Sequence, residues 1–209
     1  SLVSTINGVD YVDFVGTGTV ATAVLFSSAF PGMFGTFVKY QFQRTYDAIL
    51  AAPVDTEELV SAEAIWIATR AGVYGCVPMI VAMFFGPAPA WGMLAVPFLA
   101  WFAGFGWANF GISIAGFSKS FENFNYVVSA VLTPLFLLAG SFFPLDGFPD
   151  WLQALAQLNP LYHLVQLLRD AVLYGWAGWV DVAHLGFLVG FGILTWRIAI
   201  IAMTRKLVD

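Results

Sequence analysis

Apolar positions along this chain fall into long unbroken runs separated by a few polar islands. They show neither the two-residue alternation of half-buried strands nor the single apolar stripe of a soluble helix. A membrane-spanning helix needs about 20 predominantly apolar residues, and five windows reach that length: Phe14 to Phe37, Ala64 to Phe85, Trp91 to Phe117, Phe124 to Phe143, and Val182 to Met203. The first, third and fourth contain no Asp, Glu, Lys or Arg. The pattern predicts an all-α integral membrane protein, a single transmembrane domain over residues 1–209 with five spans. Pro31, Pro78, Pro97 and Pro134 lie inside the runs, which bilayer helices tolerate when neighbours satisfy the freed backbone groups. Gly104, Gly106 and Gly111 in the third window, and the Gly186/Gly190 GxxxG pair in the last, suit close helix packing.

Two connections are too long to be turns. The first, residues 38–63, holds the polar island RTYDAILAAPVDTEEL. Tyr46 to Ala52 reads as a short helix with Tyr46, Ile49 and Leu50 on one face. Pro53 ends it, because a residue before proline is pushed out of the α region. Asp55 and Glu58 have capping-box spacing and would start the helix that re-enters the membrane. The second connection, residues 144–181, reads as external amphipathic helices, one over Asp150 to Leu158 and one over Tyr162 to Leu173. Trp176 and Trp179 would be interfacial anchors.

Composition removes the soluble alternative. Hydrophobic residues make up 60% of the chain and charged residues 10%, at a mean hydropathy of +0.82, against about 25% charged in a soluble domain. Charge then sets orientation, since Lys and Arg gather in cytoplasmic connections. With the N-terminus out and the C-terminus in, Lys39, Arg44, Lys119, Arg205 and Lys206 are all cytoplasmic, and Arg169 is the exception.

Candidate chemistry is sparse. One Cys and two His, Cys76 with His163 and His184, make no metal or disulfide spacing, and nothing points to nucleic acid. GISIAGFSKS, Gly111 to Ser120, has P-loop glycine spacing but carries Phe117 where the phosphate-binding lysine belongs. Arg70, seven residues after Glu63 and on nearly the same helical face, either snorkels to the cytoplasmic interface or serves an inner gate. A lipid-modifying enzyme would have to use Asp146, Asp150, His163, Arg169 and Asp170. A carrier or channel would have to use scattered groups such as Thr19, Thr22, Asn109 and Ser113.

An island that builds an extra helix with apolar side chains suggests a docking surface. The stretch QRTYDAILAAPVDTEELVSAEAIW, Gln43 to Trp66, resembles the signature loop of ABC-2 type transporter permeases. There a Thr, an acidic residue and a Pro-Val/Leu-acid stretch precede a Glu at the start of the next span. Leu132 to Asp170, with its Asn-Pro-Leu segment, resembles the family's external region, and the branch resembled most is lipo-oligosaccharide (nodulation factor) export, with drug export close behind. The resemblance implies the transmembrane subunit of an ABC exporter in a prokaryotic cytoplasmic membrane, working as a homodimer within membrane lipid. It implies no enzyme activity and no cofactor on this chain, with ATP and Mg bound by a separate cytoplasmic ATPase subunit. It also implies that Arg44, Thr45, Tyr46, Asp47, Ile49, Leu50, Pro53, Glu58 and Glu63 form the ATPase-coupling loop. The family has six spans, so the five windows correspond to its last five, and the chain reads as lacking the N-terminal segment and first span.

Overall fold

A computed structural model describes residues 5–6, 8–84, 91–176 and 178–207. After a two-stranded antiparallel ladder of β1 (Thr5–Ile6) and β2 (Val9–Asp10), the described chain is helical. Its elements are α1 (Tyr11–Gln41), α2 (Thr45–Leu50), α3 (Thr56–Met83), α4 (Trp91–Phe117), α5 (residues 122–137), α6 (Asp150–Ala156), α7 (Pro160–Arg169) and α8 (Trp179–Leu207). Four of these, α1, α3, α4 and α8, are long and apolar enough to cross a membrane. The protein is an all-α integral membrane protein.

Helix α4 is the centre, packed against α1, α3 and α8. Its glycines explain why. A Cβ on Gly111 would lie 2.5 Å from the Ala29 carbonyl oxygen of α1, and one on Gly32 would lie 2.5 Å from the Ala108 carbonyl oxygen of α4. Backbone therefore rests on backbone at the α1–α4 crossing. Pro31 lacks the N–H an α-helix needs, and the chain absorbs it as a π-helical stretch, Pro31–Gly35, within α1. That stretch contains Gly32. On the other side of α4, the Thr195 hydroxyl of α8 donates to the Gly106 carbonyl at 3.1 Å. Gly186 and Gly190 have no atoms within 4 Å of their Cβ positions, so the GxxxG face of α8 is open in the single chain.

The fourth apolar window folds differently from a full span. Helix α5 ends at Leu137 and measures about 24 Å at 1.5 Å per residue, short of the ~30 Å hydrocarbon core. Gly140, at φ +70°, then turns the chain inward. A Cβ on Gly18 would lie 2.0 Å from the Ser141 carbonyl oxygen, so the turn is seated directly on α1. The third window keeps its predicted bounds, while the first extends to Tyr11–Gln41, the last runs over Trp179–Leu207, and the second begins at Thr56, with its sequence-predicted end at Phe85 outside the described residues.

The predicted external helices also move. The first stops at Ala156, and the second starts at Pro160, passing into a π-helical turn over Asp170–Tyr174. Asn159 joins them: its side chain accepts from Leu161 N–H at 3.0 Å and donates to the Leu135 carbonyl at 2.6 Å. It is 1% exposed. Asn159→Ala removes a helix cap and strands a buried carbonyl, so thermal unfolding in detergent should show a loss of about 1–3 kcal/mol.

Candidate functional site

Basic residues near both chain ends of the bundle meet at one place. Tyr40 donates to the carbonyls of Ala115 and Ser118, each at 3.4 Å, and the Lys206 ammonium donates to Ser118 at 3.3 Å while lying 5.6 Å from the centre of the Tyr40 ring. Lys39, Lys119, Arg205 and Lys206 thus belong to one end of the molecule, and the island of residues 38–63 sits there with them.

The island is a helix, a proline turn and a capped re-entry. Arg44 enters α2 in the left-handed conformation, φ +54°, which swings the chain back after α1. Its guanidinium pairs with Asp47 at 3.1 Å, an exposed ion pair worth only about 0–1 kcal/mol. The helix is two residues shorter at its C-terminal end than the sequence predicts, because Ala51 caps it ahead of Pro53. Val54 N–H donates to the Ala52 carbonyl at 2.7 Å across Pro53, a tight γ-type turn. Glu58 then accepts from the Asp55 N–H at 3.1 Å, closing the capping box that starts α3.

The sequence placed Tyr46, Ile49 and Leu50 on one face, and the structure divides them. Tyr46 is buried to 2% exposure and Leu50 is half-buried beside the core, whereas Ile49 is 37% exposed with Asp47, Ala48 and Pro53. Residues 46 and 50 are one helical turn apart, so they share the inner side. Burial pushes the Tyr46 phenol far up, with the nearby Glu63 carboxylate adding to the shift. The phenol thus stays neutral, wedged beside Thr36. Thr45, before it, is half-buried.

Glu63 is drawn into a half-buried ion pair with Lys39, at 2.6 and 2.8 Å. The pair clamps the end of α1 to the start of α3, with Tyr46 of α2 close by. Lys39→Glu should place two carboxylates in contact and lower stability by about 2 kcal/mol; adding Glu63→Lys should restore most of it, as a double-mutant cycle of thermal unfolding would show.

Arg70 is not joined to Glu63. The two are about 10 Å apart along α3, and Arg70 lies half-buried with its guanidinium 5.9 Å from the Trp66 ring centre.

At the opposite end the tertiary structure assembles groups that sequence spacing did not connect. Arg169 is 5% exposed, its guanidinium 3.7 Å above the centre of the Phe14 ring, and its Nη2 donates to the Gly140 carbonyl at 2.7 Å. Burial draws its pKa down to about 10, so it remains charged at neutral pH. The one basic residue outside the sequence pattern is thus an anchor between α1, α7 and the turn after α5. His163 and His184 meet through their Nδ1 atoms at 2.6 Å, and His163 Nε2 lies 2.8 Å from the Gln157 carbonyl. The carbonyl can only accept, so Nε2 carries the proton and Nδ1 accepts from His184. Burial pulls the His163 pKa below its usual value. No cluster of three or more metal-ligating side chains occurs among the described residues.

A bundle of apolar helices, with a built helix in the connection between the first two, describes a multi-pass membrane subunit. The profile of the ABC-2 type transporter family matches residues 2–173, and the chain belongs to that family. It is 30% identical to nodulation protein J of Sinorhizobium fredii strain NGR234, over all of this chain and 79% of that protein. It is 28% identical to nodulation protein J of Rhizobium meliloti strain 1021, over 99% of this chain and 78% of that one. Inner membrane transport permease YadH of Escherichia coli strain K12 is 27% identical over 95% of this chain and 78% of its own length. The protein is a multi-pass membrane permease subunit of an ABC exporter.

Proposed function

We propose that this permease exports a lipo-oligosaccharide or similar glycolipid, as a homodimer driven by a separate cytoplasmic ATPase that docks on α2. The end carrying Lys39, Lys119, Arg205 and Lys206 faces the cytoplasm, by the bias of basic residues toward that side, in a prokaryotic inner membrane. The observation that carries the reading is the division of α2: Tyr46 and Leu50 seat it on the bundle, and Ile49 with Ala48 and Pro53 is presented outward, rimmed by Arg44 and Asp47. A helix fixed on one side and apolar on the other transmits a push from its partner as a rigid body. Through Tyr46 and the Lys39–Glu63 clamp, that push reaches α1 and α3 together. Pro53 ends α2, Glu58 caps the start of α3, Thr45 opens α2, and Arg70 is assigned to the inner mouth of the path. The resemblance of Gln43 to Trp66 and Leu132 to Asp170 to the lipo-oligosaccharide export branch supports the glycolipid class.

The test is reconstitution. The permease co-purified with its ATPase should export a fluorescent glycolipid from proteoliposomes only with ATP, and a cysteine at Ala48 should cross-link to the ATPase. Export without an ATPase, or a cysteine labelled from the outside of intact cells, would refute the assignment.

A further inference from the structure

Between α6, α7 and the turn after α5 lies a cavity of about 310 Å³, at the small end of the range for ligand sites. Its wall is polar: Arg169, Asp146, Gln153, Gln157, Tyr162 and Gln166 line it. The groove between α1 and α3 at Val15, Thr19 and Val81 is, by contrast, walled mainly by aliphatic side chains. We propose that this cavity binds a single sugar ring of the exported glycolipid, an assignment that rests on the glycolipid reading above.

Three features select that ligand. A buried guanidinium and a carboxylate line the same small space, so a simple anion meets Asp146 and a simple cation meets Arg169. A neutral molecule that both donates and accepts meets neither conflict. Sugar hydroxyls do both, and amide and phenol side chains, here three Gln and Tyr162, match them in both directions. Arg169 is also held in place: its Nη2 donates to the Gly140 carbonyl at 2.7 Å, so a ligand meets a fixed guanidinium. Finally, the small volume and the polar wall suit a sugar ring and not an acyl chain. The lipid portion would stay with the apolar helix faces, and the head group alone would enter.

The place of the cavity gives it a task. It is built on α7 and on the Phe14 end of α1, so its occupancy is sensed by the same helix whose other end carries Lys39. A sugar held there would mark the arrival of the head group at the exit side.

The experiment uses the intact permease–ATPase complex in lipid nanodiscs, titrated with two free tetrasaccharides, one of glucose and one of N-acetylglucosamine, and followed by calorimetry and ligand-detected NMR. Saturable binding of either sugar is expected, weakened at least tenfold by Gln157→Leu combined with Gln166→Leu at unchanged Tm. No saturable binding, binding that the double variant leaves unchanged, or full competition by inorganic phosphate would overturn the assignment. ATP-driven export of glycolipid by the same preparation reads on the proposed function alone. Export without sugar binding brings down the cavity's role and leaves the exporter reading intact, and sugar binding without export does the reverse.

Discussion

Ile49→Glu is expected to reduce ATP-driven export more than tenfold while leaving membrane insertion, yield and Tm unchanged. The side chain is 37% exposed on the outer side of α2, so a carboxylate there meets water in the free permease and adds little strain. Once an ATPase covers the helix, the same carboxylate must be desolvated without a partner, a penalty of several kcal/mol. Each 1.4 kcal/mol is a tenfold loss of affinity. Co-purification with the ATPase should fall together with export. Asp47→Ala removes only an exposed ion pair, so its effect on stability should be within about 0.5 kcal/mol of zero, the size of ordinary surface changes. Tyr46→Ala provides the contrast. It empties a buried site and should lower Tm and export together. Unimpaired export by Ile49→Glu would show that α2 is not the docking element.

The second large effect concerns the α1–α4 crossing. Gly32→Leu and Gly35→Leu lie three residues apart on one helix, but a Cβ at Gly32 meets the Ala108 carbonyl at 2.5 Å and one at Gly35 meets nothing within 4 Å. Backbone atoms cannot rotate away as a side chain can, so the Gly32 variant must separate two helices. Overpacking typically costs about 1–3 kcal/mol, and at a backbone contact it should reach the upper end. For a chain of this size that is a fall in Tm of roughly 5–10 °C, measured by thermal scanning in detergent, with little change for Gly35→Leu. Equal behaviour of the two variants would mean that the crossing is not as close as the structure places it.

Much of this was legible in the sequence, for reasons that are local. Window length and apolar character announced four of the long helices, since a bilayer imposes those on any single helix without reference to its neighbours. The capping box at Asp55 and Glu58 and the break at Pro53 involve residues three to four apart, within reach of spacing rules. The family resemblance at Gln43 to Trp66 was likewise carried by contiguous residues.

What sequence spacing could not reach depends on packing between distant segments. Tyr46, Ile49 and Leu50 share an apolar character, and only the seat against Thr36 and Glu63 turns Tyr46 and Leu50 inward and leaves Ile49 outside. Helix α5 is apolar to Phe143, yet it stops at Leu137 because the following turn rests on Gly18, a contact more than a hundred residues away in sequence. His163 on α7 and His184 on α8, separated by a π-helical turn and a glycine-containing stretch, meet only once α7 lies against α8. Arg169 looked like an exception to the charge pattern until the fold brought Phe14 and Gly140 to it. Hydropathy and local hydrogen bonding thus determined which segments are fit to enter the membrane and how the polar island begins and ends. Helix-to-helix contact decided which side chains that island shows, where α5 ends, and that a buried arginine lines a polar cavity, because close approach of backbones at glycine is a property of two helices and is written in neither alone.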